Sequence, residues 1–546
     1  MKIATAREIH SQTGETDAKS MTSAVSGLIS KALGNNELLD LSSVSIRSMD
    51  DLIDFNDKVN SIINRIVIEK YSLTNRSEMF MNCLKSANLS TFTTDSSDPM
   101  QSKIDINMLT SLIDEKKRIY MRLMLSVIDN GGLNFSGINA MDIKSVLESG
   151  VVDFFDSMYK TYVDSIEHVK GKDFGDALYY GIPEKSEPES YMGVLERSNI
   201  SYSSLDNIKN PELRAYLRKV ITLCFKGSYE YDDWVGAEIN EVNSWLGKGD
   251  MAFIGPMENY LHKNFVDPEF SIMFRQKIDL DPRVFEGLAK KYYGEGFGMD
   301  RVTVFQVEPI IEMGQFSYKK YLGKNFPNDP KLRDKHGNFI FTIKGNFSKF
   351  FDEYSPKMAK IFNMDENELK KDKSRIVSGA LEETNYHEYG HNAFGARMDS
   401  EVEETKASLF YWLHLYDRHV RNKELLPVSE IKVILKTFTL DFTRYLSRLD
   451  NDGNRKYLLT AKVLLHHLQT NGLLSYDEKS NSMDFNSDDE KRTVVSFKNF
   501  LQELFYLLNE IEELYRNNDY PGIDNFVEFY NSRTDSQIKS LYENFK

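Results

Sequence analysis

Cysteine is nearly absent from this sequence: Cys83 and Cys224 are the only two in 546 residues. Neither a disulfide framework nor a cysteine-held metal cluster can be built from them, so they read as buried thiols of a reducing compartment. Long apolar runs are missing too. Nothing approaches the ~20 residues that a membrane-spanning helix needs, and residues 1–10 lack the apolar centre of a secretory signal. Positive charge is in deficit, with 68 Lys and Arg against 83 Asp and Glu and a net charge of −15. That balance argues against a nucleic-acid or anionic-membrane partner. There is no glycine loop to cradle phosphate, no internal repeat and no low-complexity tract. These absences lead us to expect a soluble, cytoplasmic protein, with specialised export left open.

A chain of this length can hold two lobes or two to three domains. Residues 1–45, rich in Ser, Thr and Gly, read as a loosely ordered arm. Residues 46–250 read as a largely helical region, with apolar positions three and four apart over 49–71, 106–128, 141–169 and 205–225. The texture changes near residue 250. Short apolar stretches at 251–255, 270–274, 302–307 and 339–343, bounded by Gly, Asp or Pro, read as strands and make 251–375 a mixed region. Residues 376–546 return to helices, at 378–394, 400–421, 428–449 and 456–470. A hairpin follows over 473–485, then long helices broken near Pro521. The expected fold class is mainly α with a smaller β-rich portion.

Histidine is also scarce, ten in all, yet His387 and His391 stand four apart in His-Glu-Tyr-Gly-His. On a helix that spacing puts both imidazoles on one face, one turn apart, as two ligands of one metal ion require. Glu388, beside them, can take a proton from a reacting water. The stretch 378–394 has no proline, and Asn392 and Gly395 suit a helix end. A catalytic zinc takes three protein ligands and keeps one position open, so a third ligand is needed. Asp399, Glu401, Glu403 and Glu404 open the next helix, with Ser400 as a candidate N-cap and Glu403 at its capping-box position. First-turn acids are also favoured by the helix dipole, which accounts for Asp399 and Glu401. Spacing alone does not decide between Glu403 and Glu404.

Four stretches, in order, resemble the dipeptidyl peptidase III family of zinc metallopeptidases, above all its shorter bacterial members. They are Gly255-Pro-Met-Glu258-Asn-Tyr260, Asn325-Phe-Pro-Asn328, His387-Glu-Tyr-Gly-His391 and Glu403-Glu-Thr-Lys-Ala407. A fainter match covers 461–485, and the resemblance spans residues 200–530. It implies two lobes around a cleft, with one zinc held by His387, His391 and Glu404. It further implies Glu388 as general base and proton shuttle, and Tyr260 as donor to the developing oxyanion. Glu258, Asn325 and Asn328 would hold the free N-terminus of an oligopeptide substrate, from which dipeptides are released. The plainer reading of Asn325 and Asn328 is turn formation beside Pro327; that of Glu258 and Tyr260 is an ordinary strand-end pair.

The sequence also departs from the family. Ser408 stands where an acid usually orients a zinc histidine, Leu458 stands near the place of a substrate-binding histidine, and the gap from His391 to Glu403 is short. His414, His419, His466 and His467 read as packing or surface residues. Two alternatives remain. One is a zinc aminopeptidase or endopeptidase. The other is a non-catalytic binding protein or secreted bacterial effector on a peptidase scaffold, against which Glu388 and Tyr260 argue, since neither is needed merely to bind metal.

Overall fold

Helix α1 (Met49–Lys70) starts at a reciprocal capping box, in which the Ser48 hydroxyl accepts from the Asp51 N–H at 3.2 Å. Its buried residues, among them Leu52, Phe55, Val59, Ile63 and Val67, recur every three or four positions and form one inward stripe. The computed structural model describes residues 41, 43–87, 89, 99–135, 139–157, 202–226, 251–254, 269–278, 282–293, 302–314, 317, 322–326, 338–391, 400–447, 449, 455–486 and 489–545. Helices α2 (Glu78–Ser86), α3 (Pro99–Asp129) and α4 (Ala140–Glu148) follow, with α3 lying against α1. The single helix expected over 141–169 is interrupted. Gly150 takes a φ of +77°, which glycine adopts without steric cost, and a new helical segment runs over 151–157. Helix α5 (Pro211–Lys226) ends the described part of this region.

Five strands form one sheet: β1 (Met251–Ile254), β2 (Glu269–Lys277), β3 (Val302–Gly314), β4 (Gly323–Phe326) and β5 (Asn338–Ile343), in the order β1-β2-β3-β5-β4. Only the β3–β5 pair is parallel. Helix α6 (Pro282–Tyr293) lies between β2 and β3 in the chain. Strand β3 runs well past the expected 302–307 and through Pro309, which has no N–H to give a ladder. The register slips there, with Ile272 facing Ile311 and Met273 facing Pro309, so the proline is absorbed by a bulge. Strand β4 was not expected. It is held by pairing to β5, with Asn325 opposite Ile340, and forms an edge of the sheet.

Helix α7 (Lys344–Ile361) leaves β5 directly, and α8 (Glu366–Lys371) leads into α9 (Lys373–Gly390). Helix α10 (Ser400–Tyr416) ends in a π turn over Asp417–Arg421. Then come α11 (Val428–Leu446), α12 (Arg455–Thr470), the hairpin β6 (Leu474–Asp477) and β7 (Ser482–Phe485), α13 (Glu490–Arg516) and α14 (Tyr520–Phe545). Helix α10 is buried around its whole circumference, including Val402, Ala407, Phe410 and Trp412, and packs on α9, α12 and α13.

The buried apolar residues fall into three clusters. One core joins α1–α5 to a face of the sheet, and a second is built around α10 with α11–α14. Between them Phe347 and Phe351 of α7 pack on Ile376, Val377 and Ala380 of α9. The architecture is mainly helical with a small β portion. Helix α9 spans residues 375 and 376, where the sequence reading divided the chain. Among the described residues no helix is long and apolar enough to cross a membrane.

Candidate metal centre

Helix α9 begins five residues before the expected position 378 and ends at Gly390, with His391 as its C-cap. His387 and His391 project together, their ring centroids 4.7 Å apart and their planes at 89°. Gly390 lets a second helix reach them. A Cβ at that position would stand 2.6 Å from the Ala407 carbonyl oxygen and 2.7 Å from its Cα. Backbone cannot yield to such a contact, so only glycine allows α9 and α10 to approach this closely. The approach brings the start of α10 up to the imidazoles. The two Nε2 atoms lie 3.1 Å apart, and Glu404 Oε2 lies 3.2 Å from that of His387 and 3.6 Å from that of His391.

The outer ring nitrogens are held by different partners. His391 Nδ1 is 2.9 Å from Glu403 Oε1, and His387 Nδ1 is 2.9 Å from Ser408 Oγ. An ionised carboxylate only accepts, so Nδ1 of His391 carries the proton and its Nε2 presents a lone pair. With Ser408 accepting from His387 in the same way, three lone-pair atoms face one point. A cation would relieve that arrangement. Bonds of 2.0–2.1 Å in a tetrahedral site imply ligand–ligand edges of about 3.3–3.4 Å, and the three observed edges bracket that figure. The donor set of two imidazoles and a carboxylate therefore fits a divalent cation such as zinc, and it is the sole group of this kind among the described residues.

Glu403 has a further partner besides His391. Its Oε1 also accepts from Lys406 Nζ at 3.0 Å, and the Lys406 side chain is fully buried. Burial by itself would raise the Glu403 carboxyl, but the Lys406 charge and the His391 bond outweigh it and hold the group below its ordinary pKa.

No protein-family model and no curated protein matches the sequence. Among solved structures the chain is similar to dipeptidyl peptidase III from Caldithrix abyssi. The TM-score is 0.50 at 16% identity, over 97% of this chain and 92% of that one. The chain shares the fold of dipeptidyl peptidase III. A dipeptidyl-peptidase III from Corallococcus sp. strain EGB aligns with a TM-score of 0.42 at 14% identity, over 67% of this chain and 72% of that one.

On this dipeptidyl peptidase III fold the remaining candidates fall into two groups. Glu388 and Asn325 lie beside the centre. A Cβ on Gly323 of β4 would stand 2.5 Å from Thr384 Cγ2 and 3.2 Å from Glu388 Oε1, so the sheet edge lies directly against α9 and the Glu388 side chain. Asn325 is a buried strand residue, not a turn former, and its Nδ2 donates to the Glu388 carbonyl at 3.0 Å. Glu258, Tyr260, Asn328 and Asp399 lie outside the described residues, as does the side chain of Glu401.

The four other histidines among the described residues stand apart from the centre. His414 stacks on Tyr386 at 4.4 Å, and burial pushes its pKa down to about 4. His419 Nδ1 faces the Glu424 carbonyl, His467 lies between Glu503 and Tyr530, and His466 packs on Phe529 and Tyr530. The sequence reading overlooked Gly390. Its signal was a residue without a side chain directly before the second histidine.

Proposed function

We propose that this chain is a zinc-dependent peptidase that releases dipeptides from the N-terminus of oligopeptides. The observation that carries the reading is the convergence of His387 Nε2, His391 Nε2 and Glu404 Oε2 at 3.1–3.6 Å from one another. These three would hold the zinc, which when bound supplies Lewis acidity to the scissile carbonyl and to the attacking water. Glu388 would take the water's proton and return it to the leaving amine. Tyr260 would donate a hydrogen bond to the oxyanion as it develops. Glu258, Asn325 and Asn328 would hold the substrate's ammonium and first residues. Asn325 supports this placement, because its bond to Glu388 fixes the sheet edge beside the proposed base.

The purified chain should carry about one zinc, and Glu388→Gln should keep the metal while losing ~10²–10⁴-fold in turnover. A zinc-loaded Glu388→Gln protein with wild-type turnover would remove the mechanism. The exopeptidase part is tested with matched free and N-acetylated peptides. Losing a charge-assisted contact of ~1.5–3 kcal/mol should slow the acetylated peptide about 10–150-fold. Glu258→Gln should erase most of that preference, whereas Tyr260→Phe should slow both peptides alike. Equal cleavage of the pair by wild type would leave an endopeptidase.

A further inference from the structure

Helix α9 is fastened to α11 by a row of contacts that advances toward the two histidines. Asp372, the N-cap of α9, pairs with Lys436. One turn on, the Thr437 hydroxyl reaches the Ile376 carbonyl at 3.5 Å, and a Cβ on Gly379 would stand 2.7 Å from that hydroxyl oxygen. Four residues further along each helix stand Glu383 and Asp441, and His387 follows Glu383 by one turn on the same face of α9. This contact is unlike the others. Glu383 and Asp441 are only 8% and 7% exposed. The cation beside them is Arg444, which lies 2.9 Å from Asp441 Oδ1 and donates to the Tyr445 oxygen at 3.2 Å. Glu383 Oε2 is buried and receives no hydrogen bond. Two interior carboxyls thus share one guanidinium, and Asp441 holds it. An ionised Glu383 would add an uncompensated interior charge, which costs more than keeping a proton.

We propose that Glu383 is a neutral carboxylic acid at neutral pH, that it donates a hydrogen bond to the Asp441 carboxylate, and that this bond positions the histidine end of α9 on α11. The proton balances the charges, leaving one carboxylate against one guanidinium. It also gives α9 a charge-assisted bond to α11, of the stronger kind. Burial and then the Asp441 charge raise the Glu383 pKa, with Arg444 acting the other way. The phenols that feel the Glu383 charge are Tyr411 of α10 and Tyr445 of α11. As pH rises the unfolded chain gives up this proton first. Stability from Glu383 is therefore fully present below about pH 4.5 and is lost as pH climbs toward the raised value of the folded chain. Above that value two carboxylates would face one guanidinium, and the contact one turn from His387 would loosen. The positioning role rests on His387 and His391 being the metal ligands; the proton does not.

The test compares the full wild-type chain with Glu383→Gln and Glu383→Ala. Infrared difference spectra at pH 7 should show the carbonyl stretch of a protonated carboxyl group in wild type that Glu383→Gln lacks. That variant keeps a donor toward Asp441 and has no proton to lose. Its folding equilibrium should therefore gain on wild type by up to about tenfold for each pH unit between pH 5 and pH 7. Glu383→Ala has no donor and should bind zinc more weakly than wild type, whereas Glu383→Gln should retain wild-type affinity. Identical carboxyl spectra, or parallel pH slopes, for wild type and Glu383→Gln would show that Glu383 is ionised and overturn the proposal. Wild-type zinc affinity in Glu383→Ala would overturn the positioning role. The infrared and pH measurements need no metal, so a failure here is told apart from a failure of the peptidase reading.

Discussion

His391 is oriented by a carboxylate and His387 by a hydroxyl, so substitutions around the two rings should not cost the same. Glu404→Ala removes a proposed ligand and should show the largest loss of zinc affinity. Ser408→Ala leaves His387 Nδ1 without its acceptor, and a loss of about 10–100-fold is expected for such an outer partner. Glu403→Ala should weaken zinc to a similar degree. It should also destabilise the fold, by about 1.5–3 kcal/mol, because the buried Lys406 loses its charge-assisted contact to that carboxylate. Chelator competition and urea unfolding on the three variants separate these effects; wild-type zinc affinity in Glu404→Ala would remove it from the ligand set. The sequence was uneven on this point, for a physical reason. The two histidines belong to one helix, so their spacing alone places them on one face. Glu403 and Glu404 are neighbours that point about 100° apart on their helix, and which one faces the imidazoles depends on how α10 docks against α9. Only the family resemblance favoured Glu404.

At the scale of elements, helices with a strong apolar period were legible, and their ends were less so. Helix α1 matches its periodic stretch closely because its cap and stripe are both local. Strand β4 has no alternation of its own and exists through its pairing with β5, which composition does not reveal. The α9–α10 contact carries two predictions. Gly390→Ala would press a Cβ against Ala407 backbone, and overpacking of this kind costs about 1–3 kcal/mol. Because the same contact sets the approach of Glu404, zinc affinity should fall with stability. A variant that loses stability yet keeps wild-type affinity would show that the contact does not position the centre. The second prediction concerns His414, whose pKa burial lowers from 6.5 to about 4 in the folded chain. The unfolded chain then takes up the proton first as pH falls. Stability from this group is fully present above pH 6.5 and is lost as pH drops toward 4, by at most about 3 kcal/mol. His414→Phe keeps a ring against Tyr386 and removes the titration. Its stability relative to wild type should therefore rise between pH 7 and pH 4.5, and parallel pH slopes for the two proteins would reject this origin.

In the whole molecule, Glu308 ties α1 of the helical first core to α7, the helix that packs on the first turns of α9. It extends from β3, and its two oxygens accept from Asn56 of α1 and from the Gly345 N–H at the start of α7, each at 3.0 Å. Helix α7 has no side-chain cap of its own, so a carboxylate from the sheet supplies the acceptor that its first turn lacks. Burial raises the Glu308 pKa, against the lowering influence of Lys349, Asn56 and the Gly345 N–H, so the interaction is held at a cost in solvation. Glu308→Ala would leave the buried Gly345 N–H without its acceptor, at about 1–3 kcal/mol, while Asn56 Nδ2 would keep the Pro309 carbonyl at 3.1 Å. The damage should fall mainly on the side of α1 and α7. The last turns of α9 and helix α10 bury Tyr386, Tyr389, Phe410 and Trp412 in a separate core, although the first turns of α9 pack on α7, and none of the three proposed ligand atoms touches Glu308. Hydrogen exchange of Glu308→Ala should accelerate in α1 and in the first turns of α7. It should remain near wild type in the last turns of α9 and in α10, with zinc content unchanged. If α9 and α10 lost protection as fully as α1, the two cores would be one cooperative unit, and the metal centre would depend on the first core for its stability.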